Sequence, residues 1–176
     1  MLNIPDILLM IIFLGIIIVS ILIMWIHQMK LNSKIQFDDI LNLPMTKKLF
    51  RKTDCVYIPC YRVYGTQFET PVMFMIDTGA TSNFISEKFL QEVYPDYIKH
   101  ILLGDDVMSI NGTVTLNKLT NVKLSLMNVN CEDEFSILDT QESLDYLSEE
   151  CGYRIVGILG TGFLQKFRCK LNFDNV

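Results

Sequence analysis

Hydrophobic and polar positions divide the chain into three regimes. Over residues 7–26, twenty consecutive positions carry no charge and are interrupted only by Gly15 and Ser20. A helix rising about 1.5 Å per residue covers about 30 Å over that length, the depth of a bilayer core. It is apolar on every face, unlike a helix that buries one stripe against a small domain. Asp6, rather than Lys or Arg, precedes the run, and Met24-Trp25-Ile26-His27-Gln28 follows it with no small-residue cleavage pattern. The pattern therefore predicts an uncleaved single-pass anchor over residues 1–27 instead of a signal peptide. Residues 28–53 have mixed polarity, include Pro44, and predict a basic juxtamembrane linker in which Phe37, Ile40 and Leu41 form a short amphipathic helix lying on the membrane or the domain. From residue 54 to 176 the spacing of apolar positions is mostly that of a sheet.

Within that last regime, residues 55–64 are rich in β-branched and aromatic side chains, Gly65-Thr66 predicts a turn, and residues 69–76 return as a second strand. Pro59 and Pro71 place these strands at an edge or a bulge. Residues 86–94 predict a short helix with Ser86 as N-cap, Glu87 in the first turn and Pro95 as the stop. Residues 105–116 predict a hairpin with Asn111-Gly112 at its tip. Residues 119–129 alternate Val122, Leu124 and Leu126 with Lys123 and Ser125; Glu132-Asp133-Glu134 then predicts an acidic turn, and residues 135–138 a returning strand. Residues 141–150 predict a helix with Leu144 and Leu147 on its inner face. After it come a strand at 154–159, a short helix at 162–167 and a last strand at 169–173. The sum is an all-β, closed barrel-like domain with short helices, preceded by one transmembrane helix.

Charge sharpens this division. The net charge is −5 over 176 residues, but it is unevenly spread. Residues 27–52 carry six Lys/Arg against two Asp, whereas residues 53–176 carry nine against seventeen acids. No Lys or Arg precedes the apolar run, while Lys30, Lys34, Lys47, Lys48, Arg51 and Lys52 follow it, which predicts a cytoplasmic C-terminal domain. A basic collar beside a membrane helix suits anionic headgroups, and equally a solvated linker that fixes topology. The acidic domain argues against nucleic acid as a partner. Five cysteines (Cys55, Cys60, Cys131, Cys151, Cys169) form no Cys-x-x-Cys pair, and the histidines are His27 and His100 alone. Reduced core thiols are the expectation, with no metal and no cofactor.

The candidate chemistry lies at Met73-Phe74-Met75-Ile76-Asp77-Thr78-Gly79-Ala80-Thr81-Ser82-Asn83-Phe84-Ile85. An apolar strand ending on Asp-Thr-Gly delivers one partly shielded carboxylate to a tight turn, where Gly79 lets the backbone take a conformation that a larger residue resists. Asp77-Thr78-Gly79-Ala80, with Phe84-Ile85-Ser86 after it, resembles the active-site loop of retropepsin-like aspartic proteases. A second block, Ile158-Leu159-Gly160-Thr161-Gly162-Phe163-Leu164, is similar to the apolar-apolar-Gly segment and short helix that pack behind that loop in the family.

This resemblance implies a retropepsin (acid protease) fold over residues 54–176 and hydrolysis of peptide bonds. It makes Asp77 catalytic, with Thr78, Gly79 and Ala80 supporting the loop and Ile158, Leu159 and Gly160 packed behind it. Ile110, Asn111, Gly112 and Thr113 take the position of the flap that closes over a peptide or protein substrate. With a single Asp-Thr-Gly, the resemblance implies a homodimer in which two Asp77 carboxylates meet on a two-fold axis. Thr161-Gly162 departs from the polar or acidic residue that many relatives carry after the glycine, and residues 140–152 form an insertion relative to the smallest members. The alternative is a catalytically weak binding or scaffold protein on the same fold at the membrane. A domain held outside the cell behind a signal anchor is a third reading. Serine and cysteine protease chemistry is disfavoured, because His100 is the only histidine away from the apolar run.

Overall fold

The computed structural model describes residues 13, 15–24, 37, 39–102, 107–109, 112–114, 118–127, 129–138 and 141–175. The chain divides into two units, Met1–Gln36 and Phe37–Val176. In the first, residues 13 and 15–24 are helical, with apolar side chains exposed from 48% at Leu22 to 69% at Met24. Ser20 returns its hydroxyl to the Ile16 carbonyl at 2.8 Å, which satisfies it within its own helix. Among the described residues no helix is long and apolar enough to cross a membrane. The remainder of the 7–26 run lies outside the described residues.

Among its described residues the second unit has eight strands and four short α-helices. In chain order they are α1 (Pro44–Thr53), β1 (Tyr57–Val63), β2 (Thr66–Ile76), β3 (Phe84–Ser86), α2 (Glu87–Val93), β4 (Val107–Ser109), β5 (Gly112–Val114), β6 (Leu119–Leu126), β7 (Val129–Leu138), α3 (Gln141–Cys151), β8 (Ile155–Leu159) and α4 (Thr161–Lys166). Six strands close a barrel in the order β1-β2-β8-β3-β7-β6, and β4 and β5 pair separately. This is the all-β barrel with short helices expected from the sequence. Alternation explains the walls: in β6, Thr120, Val122, Leu124 and Leu126 are buried, while Asn121 and Lys123 face solvent.

One pairing matters most for function. β2 runs parallel to β8, with Ile76 opposite Leu159, and β3 runs antiparallel to β8, with Phe84 opposite Ile158. The exits of β2 and β8 and the entry of β3 therefore share one end of the barrel. Gly157 permits this tight junction. A Cβ added there would lie 2.3 Å from the Phe84 carbonyl oxygen and 2.7 Å from the Phe74 ring, far inside van der Waals contact.

Several elements differ from the sequence expectation. Residues 40–53, read as linker, form a 3-10 turn (Ile40–Asn42) followed by α1, with Pro44 at its start. Thr46 and Leu49 are buried; the Thr46 hydroxyl donates to the Tyr57 carbonyl at 2.8 Å. Phe37 is buried too, its ring 6.1 Å from those of Phe163 and Phe167. The acidic stretch Glu132-Asp133-Glu134 is not a turn: it lies within β7, in register with β6. Glu132 and Glu134 point outward, and Asp133 finds partners. The reversal falls earlier and includes Met127 at φ +50°. The expected last strand reduces to one bridge, Lys170 beside Asp39, followed by a 3-10 turn at Phe173–Asn175.

α2 begins as predicted, with the Ser86 side chain accepting from Phe89 N–H at 3.2 Å. Its Glu87 carboxylate accepts from Lys118 at 3.0 Å and from the buried Tyr97 hydroxyl at 2.8 Å. Lys118, and to a lesser degree Tyr97, hold this carboxyl below its ordinary value against the opposing effect of burial. A depressed folded-state pKa adds stability that is complete above the unfolded value, about pH 4.3, and is lost as pH falls through the folded value. Glu87→Gln is therefore expected to lower the thermal midpoint at neutral pH, with the gap to the parent chain closing in acid. A melting series against pH on both chains checks this; a gap that widened on acidification would refute it.

Candidate active site

The apolar run of β2, with Val72, Met73 and Phe74 buried, anchors the strand so that Asp77 emerges at its end. The Asp77 N–H donates to the Leu159 carbonyl at 3.1 Å, which continues the β2–β8 pairing one residue into the loop. The loop then turns sharply. Ala80 N–H donates to the Asp77 carbonyl at 3.2 Å, and Gly79 N–H donates to Asp77 Oδ1 at 2.8 Å. Among the described residues Asp77 Oδ2 accepts no hydrogen bond. Asp77 is half-buried, whereas Thr78 and Gly79 are exposed.

Gly79 serves a different purpose from the one expected. Its φ is not positive, unlike those of Gly65 and Gly152, so backbone freedom is not the reason for glycine. A Cβ at 79 would lie 3.2 Å from Asp77 Oδ1; its absence leaves room for the carboxylate to fold back onto the Gly79 amide.

The block after β8 braces this loop from behind. Thr161 donates twice to the Ala80 carbonyl, from N–H at 2.8 Å and from Oγ1 at 3.1 Å. The threonine that departs from the family pattern is thus itself a clasp. α4 starts at Thr161, one residue earlier than expected. Gly160 packs so closely that an added Cβ would meet the Ser82 and Ala80 carbonyl oxygens at 2.5 and 2.7 Å. The structure therefore brings together Asp77, Thr78, Gly79 and Ala80 with Leu159 and Gly160, while Ile158 pairs with Phe84 beside them.

The two strands of the hairpin expected over residues 105–116 pair, with Met108 opposite Thr113 and Ser109 opposite Gly112. Gly112 is therefore a strand residue and not part of the tip. Ile110 and Asn111 lie outside the described residues.

Sequence reasoning missed Asn83. It is 6% exposed and ties three elements together. Its Oδ1 accepts from Gly160 N–H at 3.1 Å, and its Nδ2 donates to Asp133 Oδ2 and the Glu134 carbonyl, both at 3.0 Å. Its carbonyl accepts from Ser136 N–H at 2.9 Å. Lys166 holds the other Asp133 oxygen at 2.5 Å. No sequence signal marks it: Asn83 ends the polar run Thr81-Ser82-Asn83, which reads as an ordinary turn. Asn83→Ala is expected to cost about 1–3 kcal/mol, since it leaves buried groups unpaired. Lys166→Met, which removes a half-exposed partner, should cost less than about 1 kcal/mol. Denaturant unfolding of both variants checks the order, and the reverse order would refute the role given to Asn83.

Other reactive groups stand apart. Burial pushes the thiols of Cys60, Cys131 and Cys169 up, to about 11, 12 and 12, away from the thiolate that a nucleophile or a metal ligand needs. Among the described residues no group of His, Cys, Asp and Glu is arranged to hold a metal ion. A cavity of about 700 Å³ lined by Tyr64, Tyr94, His100 and Lys123 lies at the opposite end of β2 from Asp77. The stack of Tyr94 on Tyr64 (4.1 Å between ring centroids) forms part of its wall.

The site is thus one end of a closed barrel that presents a strand-end carboxylate on a glycine turn and supports that turn from a neighbouring strand. A family model described as aspartyl protease matches residues 63–163, more than half of the 176-residue chain, and the chain belongs to that family. The matched stretch contains both the Asp77 loop and the Gly160 turn. Among solved structures the chain is similar to the EIAV protease complexed with the inhibitor HBY-793, with 16% identity over 68% of this chain and 91% of that one and a TM-score of 0.44. It is also similar to the retroviral protease-like domain of Ddi1 from Leishmania major, with 12% identity, 69% and 90% coverage and a TM-score of 0.42. No curated protein gives a significant match to the sequence.

Proposed function

We propose that this protein is a membrane-anchored aspartic endopeptidase whose active site is completed by a second copy of the chain. The observation that carries the reading is Asp77 itself. It is a half-buried carboxylate with one oxygen engaged by Gly79 N–H, on a loop whose Thr78 and Gly79 are exposed. One carboxylate does not suffice for the chemistry. Two that share a site do not both ionise readily, so they share a proton. The ionised Asp77 takes a proton from water as the water oxygen bonds to the peptide carbonyl carbon. The protonated Asp77 of the other copy hydrogen-bonds the carbonyl oxygen and helps protonate the amine as the C–N bond breaks. The exposed Thr78 is suited to brace the two loops across the axis, and the β4–β5 pair to cover the substrate.

The anchor reading rests on the uncharged run at 7–26 and on the exposed apolar side chains of residues 15–24. The basic residues after that run favour a domain on the cytoplasmic face. Two anchors in one bilayer raise the effective concentration for pairing. The test uses the full chain in liposomes with a mixed peptide library from acid to neutral pH, with crosslinking as a readout of pairing. Cleavage that depends on the paired form is the expected result. A crosslinked dimer that cleaves nothing would overturn the reading in favour of a scaffold on the same fold.

A further inference from the structure

Among the described residues of the second unit, the basic side chains outside α1 are either paired or spread along the chain: Arg62, Lys88, Lys123, Arg168 and Lys170 enter no ion pair, but none belongs to a run as dense as that of α1. Lys99, Lys118, Arg154 and Lys166 are each paired with an acid, namely Asp96, Glu87, Glu92 and Asp133. α1 behaves differently. It carries Lys47, Lys48, Arg51 and Lys52 and no acid within its ten residues. Lys48, Arg51 and Lys52 are exposed, and among the described residues none of these three enters an ion pair. The nearest acids in sequence are Asp39 and Asp54, one beyond each end of the helix, and α3, which packs on α1, brings Glu149 and Glu150 to the Lys52 end only. Leu49 and Thr46 commit the opposite face of the helix to the barrel, so the cationic face cannot turn inward. Beside it Phe173, 53% exposed, leans on Phe50 of the same helix at 5.6 Å between ring centroids.

A cationic helix face free of ion pairs, with an exposed aromatic at its edge, has the chemistry of an interfacial lipid contact. Residues 53–176 are otherwise strongly acidic, so an anionic surface would attract this face and repel the rest. Chain length agrees: nineteen residues lie between Met24 and Pro44, a reach of at most about 70 Å when fully extended. We infer that the Lys48-Arg51-Lys52 face of α1, with Phe173, docks the barrel on anionic lipid headgroups and so sets the orientation in which it meets substrate. The inference rests on the anchor reading above. The three charges together shift the docked-to-free ratio on the order of a hundredfold, and high salt removes most of that.

The test uses the full chain carrying W25F and F173W, which leaves one indole, at the patch. It is reconstituted in phosphatidylcholine vesicles with or without phosphatidylserine, all containing a headgroup-spin-labelled lipid. The expected result is indole quenching in the anionic vesicles only, relieved at about 1 M salt, where the screening length falls to about 3 Å. Quenching should also be lost when K48Q, R51Q and K52Q are added. These positions are exposed, and an unchanged melting curve verifies that the fold persists. A chain that stays with the vesicles through an alkaline wash but is quenched equally in both lipids, or in neither, overturns the docking alone. A chain that the wash removes overturns the anchor, and this inference with it.

Discussion

Asp77→Asn is expected to reduce peptide hydrolysis by at least about a hundredfold while leaving the barrel intact, since a positioned acid-base group contributes about 10²–10⁴-fold and in a dimer of variant chains an amide replaces both carboxylates. The fold should survive because Asn keeps the shape of Asp and an oxygen to accept from Gly79 N–H, the one bond that Asp77 Oδ1 makes at 2.8 Å. The variant has a second use. If both carboxylates come from separate chains, an equimolar mixture of native and variant chains allowed to exchange leaves only about a quarter of the dimers fully native under random pairing. Activity should then fall to about half of that of the unmixed native chains at the same amount, whereas a site completed within one chain would lose nothing. A mixing curve read by fluorogenic peptide cleavage distinguishes the two, and full retention of activity would end the two-chain model.

Gly160→Ala is the second change with a large expected effect, and it acts without touching the carboxylate. The added methyl would press on the backbone oxygens of Ser82 and Ala80 at 2.5 and 2.7 Å. Neither is the end of a flexible side chain, so the loop itself must move. That movement separates Thr161 from the Ala80 carbonyl and Asn83 from Gly160 N–H. Overpacking of this kind costs about 1–3 kcal/mol, which for a chain of this size lowers the thermal midpoint by about 2–4 °C per kcal/mol. Peptide cleavage should fall more than stability accounts for, because the displaced segment carries the reacting group and small misplacements are expensive in rate. Gly162→Ala provides the graded comparison, since its added Cβ would lie 3.1 Å from the Thr81 carbonyl oxygen. If calorimetry and cleavage rates of Gly160→Ala matched those of Gly162→Ala, the bracing role would be wrong.

Much of this site is legible in the sequence because its parts lie close together along the chain. Asp77-Thr78-Gly79 sits directly after a strand, Ser86 caps the helix that it precedes, and β6 shows its alternation in eight residues. The parts that are not legible depend on distant partners. Glu132-Asp133-Glu134 reads as a solvated turn until Lys166 and Asn83 are there to take up Asp133. The true reversal carries Met127 in a left-handed conformation that its side chain does not advertise. α1 reads as a charged linker because only Thr46 and Leu49 mark its buried face, and their counterparts lie on another element. Asn83 has no local signature at all, since each of its side-chain contacts is made by a residue fifty or more positions away.

The parallel pairing of β2 with β8 also has a consequence in time. The clasp on the Asp77 loop comes from a residue 81 positions further along, Thr161 on Ala80. At about 5–20 residues per second the ribosome delivers that residue roughly 4–16 s after the loop itself. Until then the loop has no floor, and the strand that should lie beside β2 does not exist. Assembly of this end of the barrel is therefore a late, long-range event of the kind that slows folding. The Asp77 loop of a nascent chain is thus made long before it is set: its geometry waits on residue 161.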